Sequence, residues 1–170
     1  MRALGLIVCL VCGAAGAQPL PPKEVSPLYI FPATNPPKIV RSYPEEGGAV
    51  APGVLILTVT FDQAMIKTGF DFEPVASTSA PDCVKTPRLL DDKRTFVLLC
   101  TTRENRAYAL SFNVNPEGGF TNTAERRAVP ATLTFSTNDE LGPRTIKEAL
   151  KAAQLGPLDV PIQESPDLRR

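Results

Sequence analysis

Residues 54–65 read VLILTVTFDQAM, and this run decides the fold. Val, Leu, Ile and Thr fill it as far as Phe61, without glycine or proline. β-Branched side chains are stiff at χ1 and suit a pleated, half-buried surface, whereas a helix would lose more of their freedom. A two-residue period puts Leu55, Leu57, Val59 and Phe61 on one face. Val54, Ile56, Thr58 and Thr60 fall on the other, which turns polar toward its end. Such a strand belongs to one layer of a sandwich, with its back partly covered. Pro52-Gly53 before it and Asp62-Gln63 after it are turn chemistry.

Strand signals recur outward from this run. Residues 38–43 (KIVRSY) form a first strand, 44–48 a turn, and Ala49-Val50 a short bridge to the central run. Residues 67–72 suggest a further short strand with Phe70 and Phe72 on one face, followed by a loop over 73–82. Residues 84–90 and 93–99 read as a hairpin turning at Asp91-Asp92. If Leu90 faces Lys93, then Cys83 faces Cys100. These are the only cysteines beyond the first segment, and an oxidising compartment would join them in a disulfide. Residues 107–114 alternate, with Tyr108, Leu110, Phe112 and Val114 on one face. Residues 120–127 look irregular and polar. Residues 131–137 (ATLTFST) give a last strand, with Leu133 and Phe135 inward. The expectation for 38–138 is an antiparallel β-sandwich of about seven strands.

The ends read differently. Residues 1–17 have the plan of a secretory signal peptide: Arg2, an apolar stretch over 4–11, then Ala15-Gly16-Ala17, with cleavage between Ala17 and Gln18. The rival reading is a lipid anchor on Cys12 or Cys9. Residues 18–37 are a proline-rich linker, favouring extended polyproline-II structure. Leu28-Tyr29-Ile30-Phe31 interrupts it, as a staple on the domain's own surface or a docking motif for a partner. Within 139–156, Ile146, Ala149, Leu150 and Ala153 have helical spacing, and Thr145-x-x-Glu148 fits a capping box. A short amphipathic helix is therefore expected over 143–155, ended by Gly156-Pro157, to pack on the sandwich or on a partner. Residues 157–170 lack apolar periodicity and read as a disordered tail.

Ile39, Tyr43-Pro44, Gly48-x-Val50 and Val59-x-Phe61-Asp62-x-x-Met65 together resemble the opening of the surface-layer (SbsA-like) type of bacterial Ig-like domain. Arg94-Thr95-Phe96-Val97, Tyr108-Ala109-Leu110 and Thr134-Phe135-Ser136-Thr137 are similar to its later strands. The resemblance implies an Ig-like sandwich found in envelope and secreted proteins, usually as a non-catalytic module, with no catalytic residues to carry over. The family often has glycine after the asparagine of the last loop; here Asn122 is followed by Thr123-Ala124.

Composition narrows the chemistry. Eighteen basic and eighteen acidic residues balance, so no long-range attraction to nucleic acid or anionic membrane is expected. No segment after the signal is apolar and long enough to span a membrane. The chain has no histidine, the commonest general base and metal ligand. Glu45-Glu46 and Asp91-Asp92 lie in turns, where solvated carboxylates are ordinary. Asp62 and Asp71 could approach on a loop rim, but calcium needs more oxygen ligands than that. The expectation is a non-catalytic periplasmic or secreted module, with no cofactor or metal, that binds another envelope or secreted protein or serves as an envelope scaffold. Two rivals are a periplasmic copper carrier of similar sandwich fold, disfavoured by the missing histidine, and a protease inhibitor using an exposed loop over 73–82.

Overall fold

The computed structural model describes residues 34–76 and 80–161. Nine strands and one helix follow in chain order: β1 (Ile39–Tyr43), β2 (Gly48–Val50), β3 (Gly53–Phe61), β4 (Phe72–Pro74), β5 (Asp82–Cys83), β6 (Arg88–Leu89), β7 (Thr95–Thr102), β8 (Ala107–Phe112), β9 (Ala131–Thr137) and α1 (Ile146–Ala152). The 54–65 run is β3 up to Phe61; beyond it, Asp62 and Met65 belong to loops.

One sheet has the order β1-β3-β7-β5, with β6 also on β7; the other runs β2-β9-β8-β4. All the ladders are antiparallel except β2 on β9, which is parallel. In Ig terms, β1, β3, β7 and the split β5/β6 are A, B, E and D, while β4, β8 and β9 are C, F and G. β2 is a detached continuation of the first strand, moved to the opposite layer. A tyrosine corner completes the Ig-like plan. The Tyr108 hydroxyl, near the start of β8, accepts the Arg103 amide at 2.7 Å. The disulfide, by contrast, lies within one sheet.

The period-2 faces of β3 explain both sides of this layer. Leu55, Leu57, Val59 and Phe61 face inward with Phe96 and Leu98, against Tyr108, Leu110, Phe112, Leu133 and Phe135 of the opposite sheet. Phe120 sits among them, its ring centroid 4.8 Å from Phe96 and 5.4 Å from Phe61. The reading of 120–127 as irregular and polar therefore misses a core residue. On the outer face, Ile56 and Val97 are completely buried beneath Ala149 and Leu150 of α1. The helix thus supplies the cover that the apolar start of this face requires.

α1 is shorter than expected. Thr145 is its N-cap, and the capping box with Glu148 is present. The amides of Arg144 and Thr145 also donate to the Glu148 carboxylate, holding that carboxyl below its ordinary range against a weaker opposing effect of burial. Pro143 stays outside the helix; its carbonyl accepts the Val54 amide and ties the approach segment to β3. The helix ends before Gly156. Gln154 takes a left-handed φ of 57°, its amide bonds to Lys151 O and that of Leu155 to Leu150 O, a Schellman closure made without glycine. Part of the expected tail is packed as well. Arg88 donates to the carbonyls of Leu158 and Val160, and Val160 packs beside the helix cluster.

Other strand expectations need correction. The 67–72 strand is absent, and β4 begins only at Phe72. Asn113 turns left-handed (φ 57°), which takes Val114 off the inner face and leaves it half exposed. In the hairpin, Leu90 faces Thr95 and not Lys93, because 91–94 form a wider loop with Lys93 left-handed. Residues 84–87 then oppose only 98–99 of β7, and this bulge restores the register, so that Cys83 does face Cys100. Ala17, Gln18, Cys9, Cys12 and the 28–31 segment lie outside the described residues, as do 162–170.

Candidate docking cleft

The clearest candidate arises where the first strand changes sheets. At the lower end of β9, the Val129 amide donates to the Pro37 carbonyl at 2.8 Å. The chain then leaves β9, pairs with β3 as β1, and turns at Tyr43-Pro44, a cis peptide. It returns when the Gly47 amide donates to Thr134 O at 2.8 Å, and β2 pairs from Phe135 to Thr137. The chain is thus covered at Val129, just before β9, and again from Thr134 upward, and is bare at Thr132 between them.

Ladder alternation shows which groups the gap exposes. The amide of Val75 bonds Ala109 O and that of Asn113 bonds Asp71 O, so odd residues of β8 serve β4. Even residues of β8 serve β9, and their partners are Ala131, Leu133 and Phe135. Thr132 and Thr134 therefore point their main chain away from β8. Thr134 is satisfied: its carbonyl takes Gly47, while its amide and hydroxyl donate to the Glu46 carboxylate. The Thr132 amide and carbonyl face the open cleft, on an exposed residue.

The opposite wall is β1. Its register slips at Val40, since Ile39 faces Phe61 but Arg41 already faces Thr60. A bulge at an edge re-aims a side chain; Val40 is 53% exposed and lines the cleft. The cleft measures about 400 Å³, with Leu133 and Val59 at its base and Arg41, Glu45 and Glu46 on its rim. Two acids against one base give the rim a negative balance. Beside it, burial raises the Tyr43 phenol above its ordinary value.

Other openings combine fewer of these features. A cleft of about 610 Å³ beside the bulged edge carries Lys67, Lys85 and Arg88, but Arg88 is already bonded to Leu158 and Val160. A cleft of about 370 Å³ on the outer face is lined by Thr58, Thr95 and Asp92, and the two threonines are buried. Asp92 itself caps the hairpin loop. Burial acts to raise its pKa, but bonds from the Thr95 hydroxyl and the Arg94 and Thr95 amides, with the Arg94 charge, outweigh it and lower the pKa.

The other residues singled out in the sequence serve the fold. The Cys83–Cys100 bond is formed, with an S–S distance of 2.03 Å. The neighbouring Val84 amide donates to Leu99 O, so the cysteines occupy a non-hydrogen-bonded position, where strands approach most closely. Asp62 accepts the Lys38 amide. Asp71, nearly buried, accepts both the amide and side chain of Asn115 and lies 3.8 Å from Arg127. Among the described residues, no group of three or more Cys, Asp or Glu side chains is placed to hold a metal ion. No described helix is long and apolar enough to cross a membrane.

Sequence reading missed the cleft residues. Thr132 looked like any outward strand residue, and Val40 like an ordinary member of a weak first strand. The one available signal was Glu45-Glu46 in the turn between two strands.

No protein-family profile and no curated protein sequence matches this chain. Among solved structures, the chain is similar to the crystal structure of CopC from Methylosinus trichosporium OB3b. That likeness has 16% identity and a TM-score of 0.46, and spans 63% of this chain and 98% of that one.

Proposed function

We propose that this chain is a non-catalytic, Ig-like binding module of the surface-layer bacterial type, exported to the periplasm or beyond, which docks another envelope or secreted protein. The observation that carries this reading is the bare stretch of β9 at Thr132, facing the bulged-out Val40 across an open cleft. Edges left open on sheets are ready sites for another chain. The carboxylates offer further support, because Glu46, Asp62, Asp71, Asp92 and Glu148 all bond main-chain amides. The Ig-like strand order and the tyrosine corner fit the bacterial Ig resemblance, and the signal-like first segment fits export.

Site-specific photocrosslinking in the native host tests this. A photoreactive residue at Val40 should capture one defined exported protein, while the same residue at the equally exposed Val114 should not. Identical adducts at both positions, or none at Val40, would refute it.

A further inference from the structure

We infer that the cleft takes an extended peptide segment of its partner by strand addition, with apolar side chains alternating with basic ones. This deepens the binding reading above and rests on it.

Three observations lead there. First, the described sheet edges are blunted almost everywhere else. β1 is bulged at Val40, the β5/β6 edge is interrupted over 84–87, and β2 and β4 are three residues each, β4 ending in Pro74. Bulges, short strands and proline are the usual means of discouraging strand pairing. At Thr132 none of these protects the open side. The adjoining position, Thr134, is closed by Glu46, whose carboxylate takes the place a neighbouring strand would fill.

Second, the gap lies between two of the chain's own segments on the same side of this strand. Pro37 is bonded to Val129 just before β9, and β2 pairs with β9 from Phe135. An inserted peptide would continue the line of β2, with its main chain on the Thr132 amide and carbonyl. Period 2 then turns one side chain inward and the next outward. The inward residue meets Val40 and Ile39, and so is apolar.

Third, the outward residue meets the rim. Glu45 is exposed, Glu46 lies beside it on the cleft, and Arg41 is the single basic residue there. Charge complementarity favours Lys or Arg at that place and disfavours Asp or Glu.

The test is a nuclear magnetic resonance titration of the purified chain with capped pentapeptides, Val-Lys-Val-Lys-Val and Val-Glu-Val-Glu-Val. The lysine peptide should shift the Arg41, Thr132 and Leu133 amides saturably, and the glutamate peptide should bind more weakly. Thr132→Pro removes the free amide, which no ladder uses, and replaces an exposed side chain, and proline is tolerated on such an edge. It should weaken lysine-peptide binding about tenfold, the worth of one good hydrogen bond. Val40→Asp, on an exposed side chain, should also weaken binding and leaves the β9 backbone untouched. Unshifted cleft amides, equal binding by Thr132→Pro, or equal binding of both peptides would overturn strand addition. Concentration-dependent shifts at the same amides without peptide would assign the cleft to a second copy and overturn it too. A Val40 crosslink that persists in Thr132→Pro would leave the binding module standing and remove only this mode.

Discussion

Gly142 lies against Pro52 so closely that a Cβ on the glycine would sit 1.7 Å from the Pro52 carbonyl oxygen. The contact is reciprocal one residue on, where a Cβ on Gly53 would sit 2.4 Å from Pro143 O. This close crossing lets Pro143 accept the Val54 amide, and so sets α1 over Ile56 and Val97. Gly142→Ala forces backbone apart from backbone. It should destabilise the fold by about 2 kcal/mol in chemical denaturation, with faster amide exchange in α1 than in β8. Unchanged stability would mean the strap does not hold the helix.

Leu150 tests the helix as cover more directly. It is buried on Ile56 and Val97, the outward side of β3 and β7. Leu150→Ala should cost about 3 kcal/mol, and a surface change such as Lys147→Ala less than about 0.5 kcal/mol. Thermal melts of both variants decide it.

The disulfide should matter more than its ladder. β5 contributes two residues to pairing, and the bulge at 84–87 separates it from β6. Closing a loop of seventeen residues is worth about 3 kcal/mol in the chain-entropy treatment. The Cys83→Ser, Cys100→Ser double variant should lose about that much in urea denaturation.

Asn113 anchors the last loop to the core. Its side chain donates to the carbonyls of Phe120 and Ala128 and accepts the Phe120 amide, in a residue 1% exposed. Asn113→Ala strands the Phe120 amide and the Ala128 carbonyl, while the Phe120 carbonyl keeps the Ala128 amide, at a cost of about 3 kcal/mol. Asn113→Asp should also destabilise, because a carboxylate cannot donate to two carbonyls. Denaturation midpoints of the two variants check both statements.

Asp92 predicts an acid-sensitive hairpin. Its pKa is lowered in the folded chain, so its contribution is present above the unfolded value of about 4. It is lost as pH falls through the lower folded value. Asp92→Asn should therefore flatten the decline in stability as pH falls below about 4 while leaving other acid transitions in place. A decline of unchanged steepness would remove Asp92 from the account.

Much of the sandwich was legible because period-2 runs report burial directly. β3 and β9 match their expected faces, and the capping box was visible as Thr145 and Glu148. Left-handed residues other than glycine were hidden. Lys93 and Gln154 redirect the chain at φ values that their residue types do not announce, and Asn113, a type that does tolerate such a φ, was hidden by the clean alternation of 107–114. The cysteine pairing follows from a hairpin register two residues off at the turn, because a bulge that no local signal marks shifts the register back before Cys83. Phe120 was lost because a single apolar residue in a polar loop has no period. The cleft was invisible for a different reason: it depends on the chain crossing from Pro37 to β3 as β1 before it returns to β9 as β2, which is a property of topology and not of any one segment.

Amide hydrogen exchange at Thr132, read residue by residue, tests the central claim most directly. Leu133 and Leu110, paired across β9 and β8, should exchange slowly, while Thr132, next to Leu133 on β9, should exchange close to its unprotected rate. Protection of Thr132 equal to that of Leu133 in the isolated chain would mean its amide is already paired, and the open edge on which the function rests would not exist.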